Sequence, residues 1–158
     1  MANNFTVPGL DQSAGDQIVG LLDERLVALA DLGLTLKHIH WNVVGPNFIA
    51  VHEMLDVHVE AVRAMTDQTA ERIATLGGVP VGTPEYLAKH RTWDDYSLGK
   101  AATQEHLAAL DLVYTGVIGD HRAVITRLDD LDLVTQDMLI GQVAQLEQFQ
   151  WFVRAHLG

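Results

Sequence analysis

The chain has 158 residues, room for one domain with a sizeable core, and is rich in aliphatic side chains with few aromatics. Its 21 acidic against 10 basic residues give a formal net charge of −11, which argues against nucleic acid or a membrane surface as a partner unless positive charge is clustered. There is no cysteine, which removes disulfides, thiolate catalysis and cysteine-based zinc sites and suits a cytoplasmic protein.

No run of about 18 apolar residues occurs, so no membrane span is expected. Residues 1–12 read as an N-terminal tail and 13–158 as one domain. The opening MANNFTVPGLDQSAGD has neither a basic start nor an apolar block, so it does not read as a secretion signal. Neither end shows a basic arm. The first long helix is expected to start near Ser13, where SAGD resembles a capping box. Its apolar stripe is Ile18, Leu21, Leu22, Leu26, Leu29, Leu32, Leu36 and Ile39. VVGPN breaks it, with Asn47 as the expected cap of a second helix over 47–76 that stops at LGG. Residues 79–97 are the longest irregular link, with a short helix expected around TPEYLAKH. The third long helix is expected over 98–128, with Leu107, Leu110, Tyr114, Val117, His121, Val124 and Leu128 inward. After the acidic turn DDLDL a fourth starts near Thr135 and carries Leu139, Val143, Leu146, Phe149 and Val153. The only prolines are at 8, 46, 80 and 84, so nothing interrupts the last two helices. Four long helices with one long crossover describe an all-α, up-down bundle of ferritin-like connectivity, with a short extra helix in the crossover.

The second helix has two distinct faces. With His52 at zero on a helical wheel, Asp56 falls at about 40°, Asp67 at about 60° and Glu71 at about 100°. Its apolar residues Val51, Leu55, Val62, Met65, Ile73 and Leu76 cluster between about 220° and 300°. The His/Asp/Asp/Glu row therefore faces away from this chain's own core. An ordinary solvated face mixes Lys with Glu at spacing four, yet this helix has no Lys. Glu-x-x-His, the motif of bundles that bind two metals inside one chain, is absent. His52 with Asp56, and Asp67 with Glu71, are instead two i,i+4 pairs of metal-ligand type. From Asp56 to Asp67 is about 16 Å along one helix, too far to share an ion. A second copy of the helix, antiparallel across a twofold axis near residues 61–62, brings the two pairs together twice over. Ala61 and Ala64 would allow close approach. His40, at the end of the first helix, can add an imidazole. This donor mixture suits Fe(II), and also Zn or Mn.

KHIHWNVVGPNFIAVHEMLD followed by DQTAERIATLGG resembles the signature of the Dps family, the mini-ferritins, and the likeness extends from about residue 15 to the end. TWDDYS, LAALDLVYTGVI and QFQWFVRAHL look particularly like actinobacterial members. The resemblance implies a hollow homo-dodecamer that oxidises Fe(II) with hydrogen peroxide in preference to dioxygen and stores the ferric product. It implies ligands His40, His52 and Asp56 from one subunit with Asp67 and Glu71 from its twofold mate. Trp41 and Trp151 match tryptophans near that site in the family. Lys37, one turn before His40, is a candidate support for the ligands, and Arg63 and Arg72 are expected to pair with the site carboxylates. In DDLDLVTQD, the resemblance places Asp132 and Asp137, and secondarily Asp129 and Asp130, at a threefold pore that draws cations inward. The remaining histidines, 38, 58, 90, 106, 121 and 156, read as structural or solvated, with His121 in the core. Two other readings compete. One is direct DNA compaction, the role that names the family and that usually resides in Lys-rich tails not seen here. The other is a purely structural bundle.

Overall fold

A computed structural model describes residues 5–158. Helix α1 spans Gln12–Asn42, α2 Phe48–Thr75, α3 Pro84–His90, α4 Thr103–Leu128 and α5 Leu133–Leu157. Two-residue strands β1 (Val43–Val44) and β2 (Ala101–Ala102) pair in parallel. The fold class is all-α: α1 packs on α2 and α4 on α5, and the crossover carries the short α3. No described helix is long and apolar enough to cross a membrane.

The apolar stripes read from the sequence are the core, except that Val117 of α4, expected inward, is only half-buried while the adjacent Ile118 is buried. Every stripe residue of α1 named above is buried, as are the five of α2, Leu76 at its C-cap and all five of α5. One cluster, from Leu29 and Leu36 through Val51 and Leu55 to Tyr114 and Phe149, fills the end nearest the α1–α2 turn. A second, around Ile18, Leu22, Ile73, Leu128 and Leu139, fills the other end. Each fully buried side chain of this kind contributes about 1.5–3 kcal/mol, enough to order four helices only because so many act together. A polar layer lies between α1, α2, α4 and α5. There Arg25 approaches His121 at 3.4 Å, and Gln142 donates to Thr69 Oγ1 at 3.2 Å.

The helix starts differ from the expected ones, each for a local reason. Asp11, not Ser13, caps α1, its Oδ1 accepting from the Ala14 N–H at 2.8 Å. Asn47 precedes α2, but its backbone is left-handed (φ 62°) and its side chain makes no capping bond. Helix α4 begins at Thr103 rather than 98 because residues 101–102 are drawn into pairing with Val43–Val44, and Glu105 accepts from the Ala102 N–H. Helix α5 begins at Leu133, capped by Asp132, whose two oxygens accept from Val134 and Thr135. Of the tail expected over 1–12, residues 1–4 lie outside the described residues. The rest is not free: Val7 and Leu10 pack against the second core cluster. The Phe5 carbonyl also approaches Gly77 (φ 87°) so closely that a Cβ there would lie 1.8 Å from its oxygen, so only glycine fits.

Candidate metal centre

The turn between α1 and α2 folds the end of one helix onto the start of the next, bringing His40 against His52. Their rings stack with centroids 3.6 Å apart. Each ring nitrogen Nδ1 lies 2.9 Å from the other residue's backbone carbonyl oxygen. A carbonyl only accepts, so both Nδ1 atoms carry the proton and both Nε2 atoms keep a lone pair for a metal. One turn along α2, Asp56 joins them: one ligand atom from each of His40, His52 and Asp56 lies within 4.8 Å of the others. His40 is buried, His52 half-buried and Asp56 exposed, so the cluster opens outward from the bundle.

Lys37 supports this cluster from α1, its Nζ donating to Asp56 Oδ1 at 3.0 Å. That hydrogen bond holds the Asp56 carboxyl below its ordinary pKa; desolvation opposes it, and the nearby charges of His40, Lys37 and His52 add to the lowering. The ammonium also stands 5.7 Å from the Trp41 ring centroid. Trp41 is 70% and Trp151 63% exposed, so neither is a core anchor in the single chain. Asp67 and Glu71 lie on exposed positions of α2, outside the three-residue cluster.

The expected pairing of Arg72 with the site carboxylates is corrected. Arg72 reaches across to α5 instead, giving Asp132 a 2.7 Å ion pair and Thr135 a 2.9 Å hydrogen bond. Among the described residues no ion pair joins Arg63 to Asp67 or Glu71. Asp132 is thereby doubly committed, to Arg72 and to the α5 cap. Burial pushes its pKa up, but Thr135 and Arg72 outweigh that and hold it below the ordinary value. Asp129, Asp130 and Asp137 remain exposed.

Several supporting residues had no local signature. Thr103 donates to the Pro46 carbonyl at 2.9 Å and pins the turn that joins the two site histidines. His38 donates to the Leu98 carbonyl at 2.7 Å, and Tyr96 hydrogen-bonds His106 at 2.8 Å, tying the crossover to the same end. Most of these partners lie dozens of residues apart, so no spacing rule reveals them. His58, His106 and His121 are buried and structural, as expected.

Two imidazoles and a carboxylate beside an open face suit a transition-metal ion that exchanges with solvent. Together with the bundle they define a ferritin-like protein, and the ferritin-like domain family matches residues 19–158. The DNA protection during starvation protein of Mycolicibacterium smegmatis is 60% identical over 154 residues, covering 98% of this chain and 84% of that protein. The structure of Mycobacterium smegmatis Dps in a tetragonal form superposes with a TM-score of 0.96 at 60% identity, covering 97% of this chain and 93% of that one. DpsA14 from Streptomyces coelicolor gives a TM-score of 0.96 at 57% identity, over 99% and 94% of the two chains. The chain belongs to the Dps family of ferritin-like proteins.

Proposed function

We propose that this protein is a ferroxidase and iron store of the cytoplasm. In it, twofold-related copies complete two sites, each with His40, His52 and Asp56 of one subunit and Asp67 and Glu71 of the other. The observation that carries this reading is the convergence of three ligands on an outward-facing cluster, with a further carboxylate pair about 16 Å along the same helix. In this reading an antiparallel copy brings that pair beside the neighbour's cluster. Fe(II) is the substrate. Two ferrous ions held together each give up one electron. One hydrogen peroxide molecule takes both electrons and two protons and leaves as two waters. A lone ion would deliver a single electron and release hydroxyl radical. The protein's part is to hold the pair and supply negative charge that favours the ferric product. Dioxygen is the second oxidant, and Zn or Mn would occupy the site as surrogates.

The ferric product is stored, in this reading, inside a hollow dodecamer. Asp137, Asp129 and Asp130 line an entry for cations, while Asp132 shapes that region through the α5 cap. The M. smegmatis relative is named for DNA protection. At a net charge of −11, removal of iron and peroxide accounts for such protection better than direct contact with phosphates.

The test mixes subunits. His52→Ala and Asp67→Ala chains, each inactive as homo-oligomers, are expected to recover activity when co-assembled, because a mixed dimer keeps one intact site of two. A chain carrying both substitutions is expected to stay inactive alone. No recovery on mixing would end the shared-site reading.

A further inference from the structure

On the opposite side of α1 from α2 lies a pocket of about 420 Å³ that the metal centre does not use. Helices α1 and α4 form its floor, with Ala28, Leu32, Val113 and Val117, and the crossover after α3 forms its wall. Leu112 stands 73% exposed at its edge.

The wall contributes two aromatic side chains whose polar atoms are already used. Trp93 Nε1 donates to Asp31 at 2.8 Å, and the Tyr96 hydroxyl bonds His106 Nδ1 at 2.8 Å. What these residues retain for a ligand is π surface, held in place by those bonds. The charged groups lining the pocket are all carboxylates: Asp31, Asp94, Asp95 and Asp120. Arg91 compensates Asp31 and Asp95 at 3.1 and 2.7 Å, and Arg25 reaches Asp120 only at 3.8 Å. Four negative charges against two positive leave the rim acidic, with Asp94 in none of these pairs. The floor is apolar apart from the Thr35 hydroxyl, the wall is aromatic with the Ser97 hydroxyl beside it, and the rim is of acceptors; this combination favours one chemistry. It is that of a compact apolar body carrying a cationic donor, attracted by ring quadrupoles and carboxylates together.

We propose that this pocket binds an amphipathic organic ammonium ion, its apolar part on the α1–α4 floor and its charge between the aromatic wall and Asp94 and Asp120. The volume lies in the range of small-molecule sites, and a purely hydrophilic polyvalent cation would leave the floor unused. The inference is independent of iron oxidation, since none of the metal-site residues lines the pocket.

The test titrates 2-phenylethylammonium, 2-phenylethanol and 3-phenylpropionate into the assembled protein by calorimetry. The ammonium is expected to bind about tenfold or more tighter than the carboxylate, with the alcohol between them. At Gly116, on the α4 side of the pocket floor, a Cβ would meet nothing within 4 Å. Gly116→Phe is therefore expected to fill the pocket and abolish ammonium binding while iron oxidation continues at its normal rate. Asp94→Asn with Asp120→Asn is expected to erase the preference for the cation and leave the alcohol's affinity unchanged. Three results would overturn the proposal. These are equal affinity for cation and anion, ammonium binding that survives Gly116→Phe, and no binding because another copy of the chain covers the pocket in the assembly.

Discussion

His40 and His52 each supply a backbone carbonyl that fixes the other's imidazole, so the two rings set one another's tautomer, with Asp56 Oδ1 also 3.4 Å from His40 Nδ1. Asp56, the third member of the cluster, is set differently, by the ammonium of Lys37. Because that hydrogen bond is the largest influence holding the Asp56 carboxyl down, Lys37→Met is expected to let it titrate higher, toward the ordinary 3.8. Carboxyl-detected NMR of the metal-free protein reads the midpoint directly, and an unmoved midpoint would assign the shift to the histidines instead. At this scale the sequence was partly legible. His52 and Asp56 stand one helical turn apart and are visible as a pair. Thr103, Tyr96 and Leu98 are invisible as supports because their partners are brought near only by the fold.

The join between α2 and α5 shows how one carboxylate can serve structure where sequence pattern suggests a surface role. Asp132 caps α5 and holds Arg72 of α2, tying the end of one long helix to the start of another. Asp132→Ala is expected to cost about 2 kcal/mol in urea unfolding, from a lost cap and a lost charged hydrogen bond. Asp137→Asn, at an exposed position, is expected to fall within about 0.5 kcal/mol of the parent. If the two variants also separate in iron uptake, with Asp137→Asn slowing entry despite full stability, the pore role belongs to Asp137. The four long helices were readable because each carries its own periodic stripe. Their starts were not, because caps and the small β1–β2 pairing depend on neighbours.

Across the whole molecule, burial controls the response to acid. His58 sits in the core with Tyr114 on its Nδ1, and His121 lies in the polar layer with Arg25. Burial pushes both pKa values from 6.5 down to about 4, assisted at His121 by Arg25. Below about pH 6.5 the unfolded chain takes up protons that the folded chain refuses, so stability falls as pH drops and the loss is complete below about 4. Each histidine contributes roughly 3 kcal/mol to that loss. The lowered carboxyl of Asp132 adds to it in the same direction, its stabilisation disappearing as the pH falls through its folded-state pKa. Unfolding followed by circular dichroism at pH 7 and pH 4.5 is expected to show a strong acid sensitivity. Replacing His121 with Gln should flatten this dependence, whatever it does to stability at neutral pH. An unchanged slope would assign the sensitivity elsewhere.

The sequence by itself determined which faces are apolar and which face of α2 carries the His/Asp/Glu row, because helical periodicity is a local property written in neighbouring residues. It also carried the motifs of the Dps family. Only the tertiary structure decided that His40 meets His52, that Arg72 serves Asp132 rather than the metal cluster, and that residues 7 and 10 join the core. Those outcomes depend on which distant groups compete for one partner when the chain closes, and the free energy of that competition is settled by packing and desolvation rather than by spacing along the chain.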